Sequence, residues 1–227
     1  MAENIKLKIV DFFVEPSVKD KYYKEFTEAY KRLAKFFPVS PSLVEIYLFS
    51  NRSDFINKIG KKKVPNWLMG YTSMNSINKI FIYTKDSRLS SKVKLKKLIH
   101  HELAHVFTNH FNSALPTWLK EGISVYLAKQ ITKSFISESD WQIIKPNKNY
   151  NFFGRTWNSL INNHHAYNNA GLVVRRLIKS YGKENLFNIL AEYQPKQNII
   201  LLLSSFFKKS SHSIILDLAN KKRRPIN

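Results

Sequence analysis

The sequence has no cysteine. Disulfides are therefore excluded, and any transition-metal site must be built from histidine and carboxylate side chains. Long apolar runs are missing as well. The longest, Ile199-Ile200-Leu201-Leu202-Leu203 followed by Ser204-Ser205-Phe206-Phe207, is too short to span a bilayer. The first thirty residues are charged and lack an apolar stretch ending in a small-residue cleavage site. The expectation is a cytoplasmic protein with no membrane span, a trimmed leader aside. Acidic residues are few: 16 Asp and Glu against 37 Lys and Arg leave a net charge of +21. An anion-attracting field of that size suits nucleic acid, an anionic lipid surface or an acidic substrate. It equally suits a Lys-rich composition whose only consequence is solubility. The lysines are spread along the chain instead of forming one stripe, and no dedicated nucleic-acid recognition motif or internal repeat is present.

What is present describes a folded globule. Hydrophobic residues make up 44% of the 227 positions and aromatics 14%, enough for a real core. One domain over residues 1–227 is expected, with a sheet and a metal-binding helix in 1–111, a helical part in 112–220 and a basic tail in 221–227.

Near the middle stands His100-His101-Glu102-Leu103-Ala104-His105-Val106-Phe107. His101 and His105 are four residues apart, so on a helix they lie one above the other and both imidazoles reach one ion. Glu102 sits about 100° around the helix, beside the ion and not on it. This is the His-Glu-x-x-His arrangement of zinc hydrolases, two neutral nitrogen ligands plus a carboxylate base. Chance gives the pattern in roughly one chain of this length per hundred, so coincidence is a poor account of it. The helical wheel agrees: Leu95, Ile99, Leu103 and Val106 form an apolar stripe that excludes both histidines.

Along the chain, Ile5 to Val14 reads as a strand ended by Pro16, and Ser17 to Phe37 as a helix through Tyr22, Phe26, Ala29, Tyr30, Leu33 and Phe37. Leu43 to Phe49 is a second strand and Ser53 to Ile59 a short helix closed by Gly60. Gly60-Lys61-Lys62-Lys63 reads as a turn with a solvated charge cluster. Trp67 to Thr84 reads as a hairpin turning at Ser73-Met74-Asn75-Ser76, its second arm leading into the metal helix, which Ser90 or Ser91 caps. If that second arm is the sheet edge, its free backbone groups suit an extended peptide.

After the metal helix, Pro116 opens a second helix to about Lys129. On it Leu119, Ile123, Tyr126 and Leu127 share one face, and Glu121 shares the other with Trp118 and Val125. A carboxylate among such neighbours needs a cation or hydrogen-bond donors, which makes Glu121 the natural third ligand, sixteen residues beyond His105, the alternative being a solvated glutamate next to Lys120. Gly122 inside this helix points to close approach of another backbone. Residues 132–156 read as a long connection. Helices follow over Thr156 to Ile161, His165 to Tyr181, Lys183 to Tyr193 and two shorter segments, with Gly182 ending the second. His164 and His165 are solvent-facing or a secondary contact, and His110 and His212 are structural or exposed.

His101-Glu102-x-x-His105 followed by Trp118-Leu119-Lys120-Glu121-Gly122 resembles the gluzincin metallopeptidases of the peptidase MA-like group. In that family the segment after the first motif supplies the third ligand. Tyr167-Asn168-Asn169-Ala170-Gly171 is similar to the segment that carries the catalytic tyrosine of gluzincin aminopeptidases. The resemblance implies a zincin-like α+β fold, a small mixed N-terminal sheet whose edge strand borders the cleft, followed by a mainly helical part. It also implies Zn2+ as cofactor, a peptide or protein substrate, Glu102 as base and Tyr167 as oxyanion donor. Two departures stand out. Gly70-Tyr71-Thr72-Ser73-Met74-Asn75 offers no glutamate where the aminopeptidases hold the substrate amine, which favours an endopeptidase. Val125 stands one turn after Glu121, where some gluzincins place an acid that orients a ligating histidine.

Overall fold

A computed structural model describes residues 6–12, 15–61, 64–73, 78–89, 91–133, 135–137, 140 and 164–219. The expected helix over 156–161, the tip of the hairpin turn, most of the Lys61–Lys63 cluster and of the 132–156 connection, and the basic tail lie outside those residues. The described parts form a small mixed sheet and eight α-helices. The chain falls into two compact units, Met1–Ser113 and Ala114–Asn227.

The first unit runs β1 (Lys6–Phe12), α1 (Pro16–Phe36), β2 (Leu43–Phe49), α2 (Arg52–Ile59), β3 (Gly70–Thr72), β4 (Lys79–Tyr83), a 3-10 turn (Ser87–Leu89) and α3 (Lys92–Phe111). Pro16, which cannot donate to a ladder, opens α1. The apolar positions foreseen on α1, Tyr22, Phe26, Ala29, Tyr30 and Leu33, are all buried. Asn51 caps α2 by accepting from the Ser53 amide at 2.8 Å, and Gly60 ends it at φ +68°, where glycine costs least. Ser91 holds the N-cap place of α3 by its backbone, without a side-chain bond.

Strand order is β1-β2-β4-β3, with β1, β2 and β4 parallel and β3 antiparallel to β4. The strand leading into α3 is therefore paired on both sides, and the edge belongs to the first arm of the hairpin, β3. The reason lies in the crossover: β2 pairs in parallel with β4 from Glu45–Lys79 to Phe49–Tyr83, filling the side the hairpin reading left open. Period-two alternation sorts the faces. Ile46, Leu48, Ile80 and Ile82, all fully buried, share a face with Gly70 and Thr72. The opposite face carries Tyr47, Phe49, Phe81, Tyr71 and Tyr83, packed on Phe55 of α2. On the other side of α3, Phe107 meets Tyr30 and Phe37 of the α1 region at ring distances of 5.0 and 5.4 Å.

The second unit contains α4 (Thr117–Leu127), α5 (His164–Tyr181), α6 (Lys183–Glu192), α7 (Ile199–Phe207) and α8 (Ser211–Ala219). Pro116 stands just before α4 and not in its first turn. The buried side of α4 is broader than its pattern suggests: Trp118, Leu119, Lys120, Ile123, Ser124 and Val125 are buried, whereas Tyr126 and Leu127 are only half covered. Helix α5 is the centre of this unit. Its Arg176 donates to the Leu218 carbonyl at the end of α8, and the Tyr181 hydroxyl donates to Asp217 at 2.9 Å. Gly182, at φ +82°, turns the chain from α5 into α6. Among the described residues no single helix is long and apolar enough to cross a membrane.

Candidate metal centre

Helix α3 places His101 and His105 one turn apart, and their Nε2 atoms approach to 3.1 Å. Two ring nitrogens facing each other must share a proton or a cation, since two lone pairs at that distance repel. Two imidazoles on one tetrahedral zinc, each at about 2.0–2.1 Å, have their nitrogens about 3.3 Å apart. The observed spacing is within a few tenths of that. One potential ligand atom from each of His101, His105 and Glu121 lies within 4.8 Å of the others, a group that could hold a metal ion. The donor set, two imidazoles and a carboxylate, suits zinc.

The third histidine of the run is excluded by its own hydrogen bond. Nδ1–H of His100 donates to the Lys96 carbonyl at 2.8 Å, turning the ring back along α3. Burial pushes the His100 imidazole below its usual range and so favours the neutral form.

Glu102 is 6% exposed. The Thr72 hydroxyl lies 2.8 Å from its Oε2 and 2.9 Å from its backbone carbonyl. A single hydroxyl proton serves these two acceptors, so the edge strand anchors the carboxylate and its own main chain together. Gly70 makes room for this. A Cβ added there would stand 2.8 Å from Glu102 Oε1 and 2.9 Å from its Cγ. Neither Thr72 nor Gly70 was assigned a role from sequence. The one available signal was Gly70 itself, a glycine within a strand, which marks close approach.

In the second unit Glu121 is half-buried on α4. Its neighbour Lys120 is 5% exposed, and burial pushes its ammonium down. Gly122 meets the close approach expected of it: an added Cβ would stand 2.6 Å from the Ala170 carbonyl oxygen of α5. Gly171 repeats the arrangement against Val125, also at 2.6 Å. Ala170, Gly171 and Val174 thus define the side of α5 that meets α4, and Tyr167, half-buried, falls on that side by the i, i+3, i+4, i+7 rule. His165 is exposed and interacts with Lys133 and Asp140. Asn168 accepts from the Thr132 and Lys133 amides at 2.8 and 3.0 Å, tying the chain after α4 to α5. His110 and His212 are both exposed.

No family model matches the sequence, and no curated protein is significantly similar to it.

Proposed function

We propose that the protein is a zinc-dependent peptidase of the gluzincin type that cleaves within peptide chains. The observation that carries this reading is the grouping of His101, His105 and Glu121 ligand atoms within 4.8 Å. Helix α3 adds to it a buried carboxylate on the residue next to His101. His101, His105 and Glu121 would hold the ion and leave a fourth position open, the ligand count of a catalytic site and not a structural one. When bound, zinc supplies Lewis acidity, polarising a carbonyl and lowering the pKa of a water.

Glu102 accepts the proton of the attacking water and returns it to the leaving amine. Thr72 fixes Oε2, which leaves the second carboxylate oxygen to exchange that proton. Tyr167, by resemblance, donates its hydroxyl to the developing oxyanion. Its place on the α4-facing side of α5 supports that role. The missing glutamate between Gly70 and Asn75 leaves a free amino terminus without an anchor and favours internal cleavage.

The test is Glu102→Gln in the purified full chain, with metal content measured alongside a proteome-wide cleavage screen. The variant should keep its metal while turnover falls by about two decades or more. Cleavage at the wild-type rate, or wild-type protein that takes up no zinc, rejects the reading.

A further inference from the structure

Helix α7, Ile199–Phe207, contains no charged residue. Its two sides differ mainly in what covers them. At about 100° per residue, Ile199, Ile200 and Leu203 gather on one side, all no more than 4% exposed. Leu201, Ser205 and Leu202 gather on the other, and Phe206 lies at its margin one turn beyond Leu202, with Leu201 49% and Phe206 41% exposed. A helix lying on a soluble core presents polar residues to water. Scattered apolar side chains on a surface are ordinary, but Leu202 and Phe206 stand one turn apart and Ser205 alone lies between them and Leu201 around the helix.

Cations bracket the helix in the chain. Lys196 and Lys208 are exposed at its two ends, both at positive φ. Lys209 follows, its ammonium paired with Asp217 at 3.0 Å. Beyond α8 the sequence adds Lys221, Lys222, Arg223 and Arg224, and Asp217 is the sole acid from Lys196 onward. The segment is short, and α7 meets α8 at 107°, so the pair does not make a straight span of a hydrocarbon core of about 30 Å.

Three occupants compete for such a face. A second copy of the chain would set two +21 charges against each other. Nucleic acid satisfies the lysines but leaves Leu201 and Leu202 in water. An anionic bilayer takes both, with apolar side chains in the headgroup boundary and ammonium groups on phosphate. We propose that the protein docks on anionic membrane surfaces through this face of α7, inserting Leu201, Leu202 and Phe206 while Lys196 and Lys208 meet lipid phosphates.

The experiment is flotation of the full chain with phosphatidylcholine vesicles and with equimolar phosphatidylcholine–phosphatidylglycerol vesicles. The protein should float with the mixed vesicles alone. The double variant Leu201→Ser/Phe206→Ser should lose at least about tenfold in partitioning, with circular dichroism and thermal unfolding unchanged. Phe206→Trp, read against the four native tryptophans, should keep binding and shift its emission to the blue on mixed vesicles. Equal flotation with both compositions, wild-type flotation of the double variant, or unshifted emission from the Phe206→Trp variant overturns the proposal. So does a single-stranded oligonucleotide bound as tightly as the mixed vesicles and weakened by the same two serine substitutions.

Discussion

The contact between Thr72 and Glu102 joins residues thirty positions apart in the chain, and it decides where a buried carboxylate points. Replacing the hydroxyl by a methyl, as in Thr72→Val, keeps the β-branched shape and removes the donor. A buried acceptor left without its partner costs about 1–3 kcal/mol, so urea unfolding of the metal-free protein should register a loss of that size. Thr72→Ser should recover most of it. In the proposed peptidase the same pair of variants would lower and then restore kcat with KM unchanged, because Thr72 orients the base and does not touch substrate. Unchanged stability of Thr72→Val would mean that water satisfies Glu102. The histidines were legible from sequence because their relation is local, four residues on one helix. Thr72 was not, because its partner is set by how a sheet face packs on α3, and nothing in Gly70-Tyr71-Thr72 encodes that register.

Between elements, glycine carries the legible part. Gly122 announced a close backbone approach from its place in a helical pattern, and the carbonyl of Ala170 is what approaches. What the pattern could not say was which helix supplied it, or that Gly171 of that helix makes the reciprocal fit on Val125. The two sites differ in what must yield. At Gly122 an added methyl meets backbone, which moves only with its helix, whereas at Gly171 it meets the Val125 side chain. Gly122→Ala should therefore destabilise by about 1–3 kcal/mol, the usual scale of overpacking. Gly171→Ala should cost less, offset in part by the gain in helix propensity over glycine. Denaturant midpoints of the two variants measure the order, and a reversed order would show that α4 and α5 slide apart more easily than Val125 repacks. The edge strand shows the opposite case. Hairpin chemistry identified both arms but left open which of them is the edge, because the parallel pairing of β4 with β2 depends on a partner thirty-four residues away.

At the scale of the whole chain, charge is the dominant fact and composition alone reveals it. If each of the 16 acidic residues paired with a cation, 21 of the 37 basic ones would still lack a counter-charge within the protein. The pairs include partly exposed ones, such as Lys96 with Glu28 at 3.3 Å and Lys79 with Glu45 at 3.5 Å. Each such pair is worth at most about 1 kcal/mol and weakens with salt. The repulsion among the excess cations weakens too, and it acts over a longer range: its reach is about 30 Å at 0.01 M salt and about 8 Å at 0.15 M. Long-range repulsion thus loses more than short-range pairing when sodium chloride is added. Thermal unfolding of the metal-free protein should therefore move upward, by about a few degrees, between about 0.01 and 0.3 M salt. Lys96→Gln, which removes one cation together with its contacts to Glu25 and Glu28, separates the two terms. If repulsion governs, this variant should rise less with salt than the wild type. A melting temperature that falls with salt in the wild type would mean that the carboxylate pairs outweigh the field, and that the +21 charge is borne without strain on the fold.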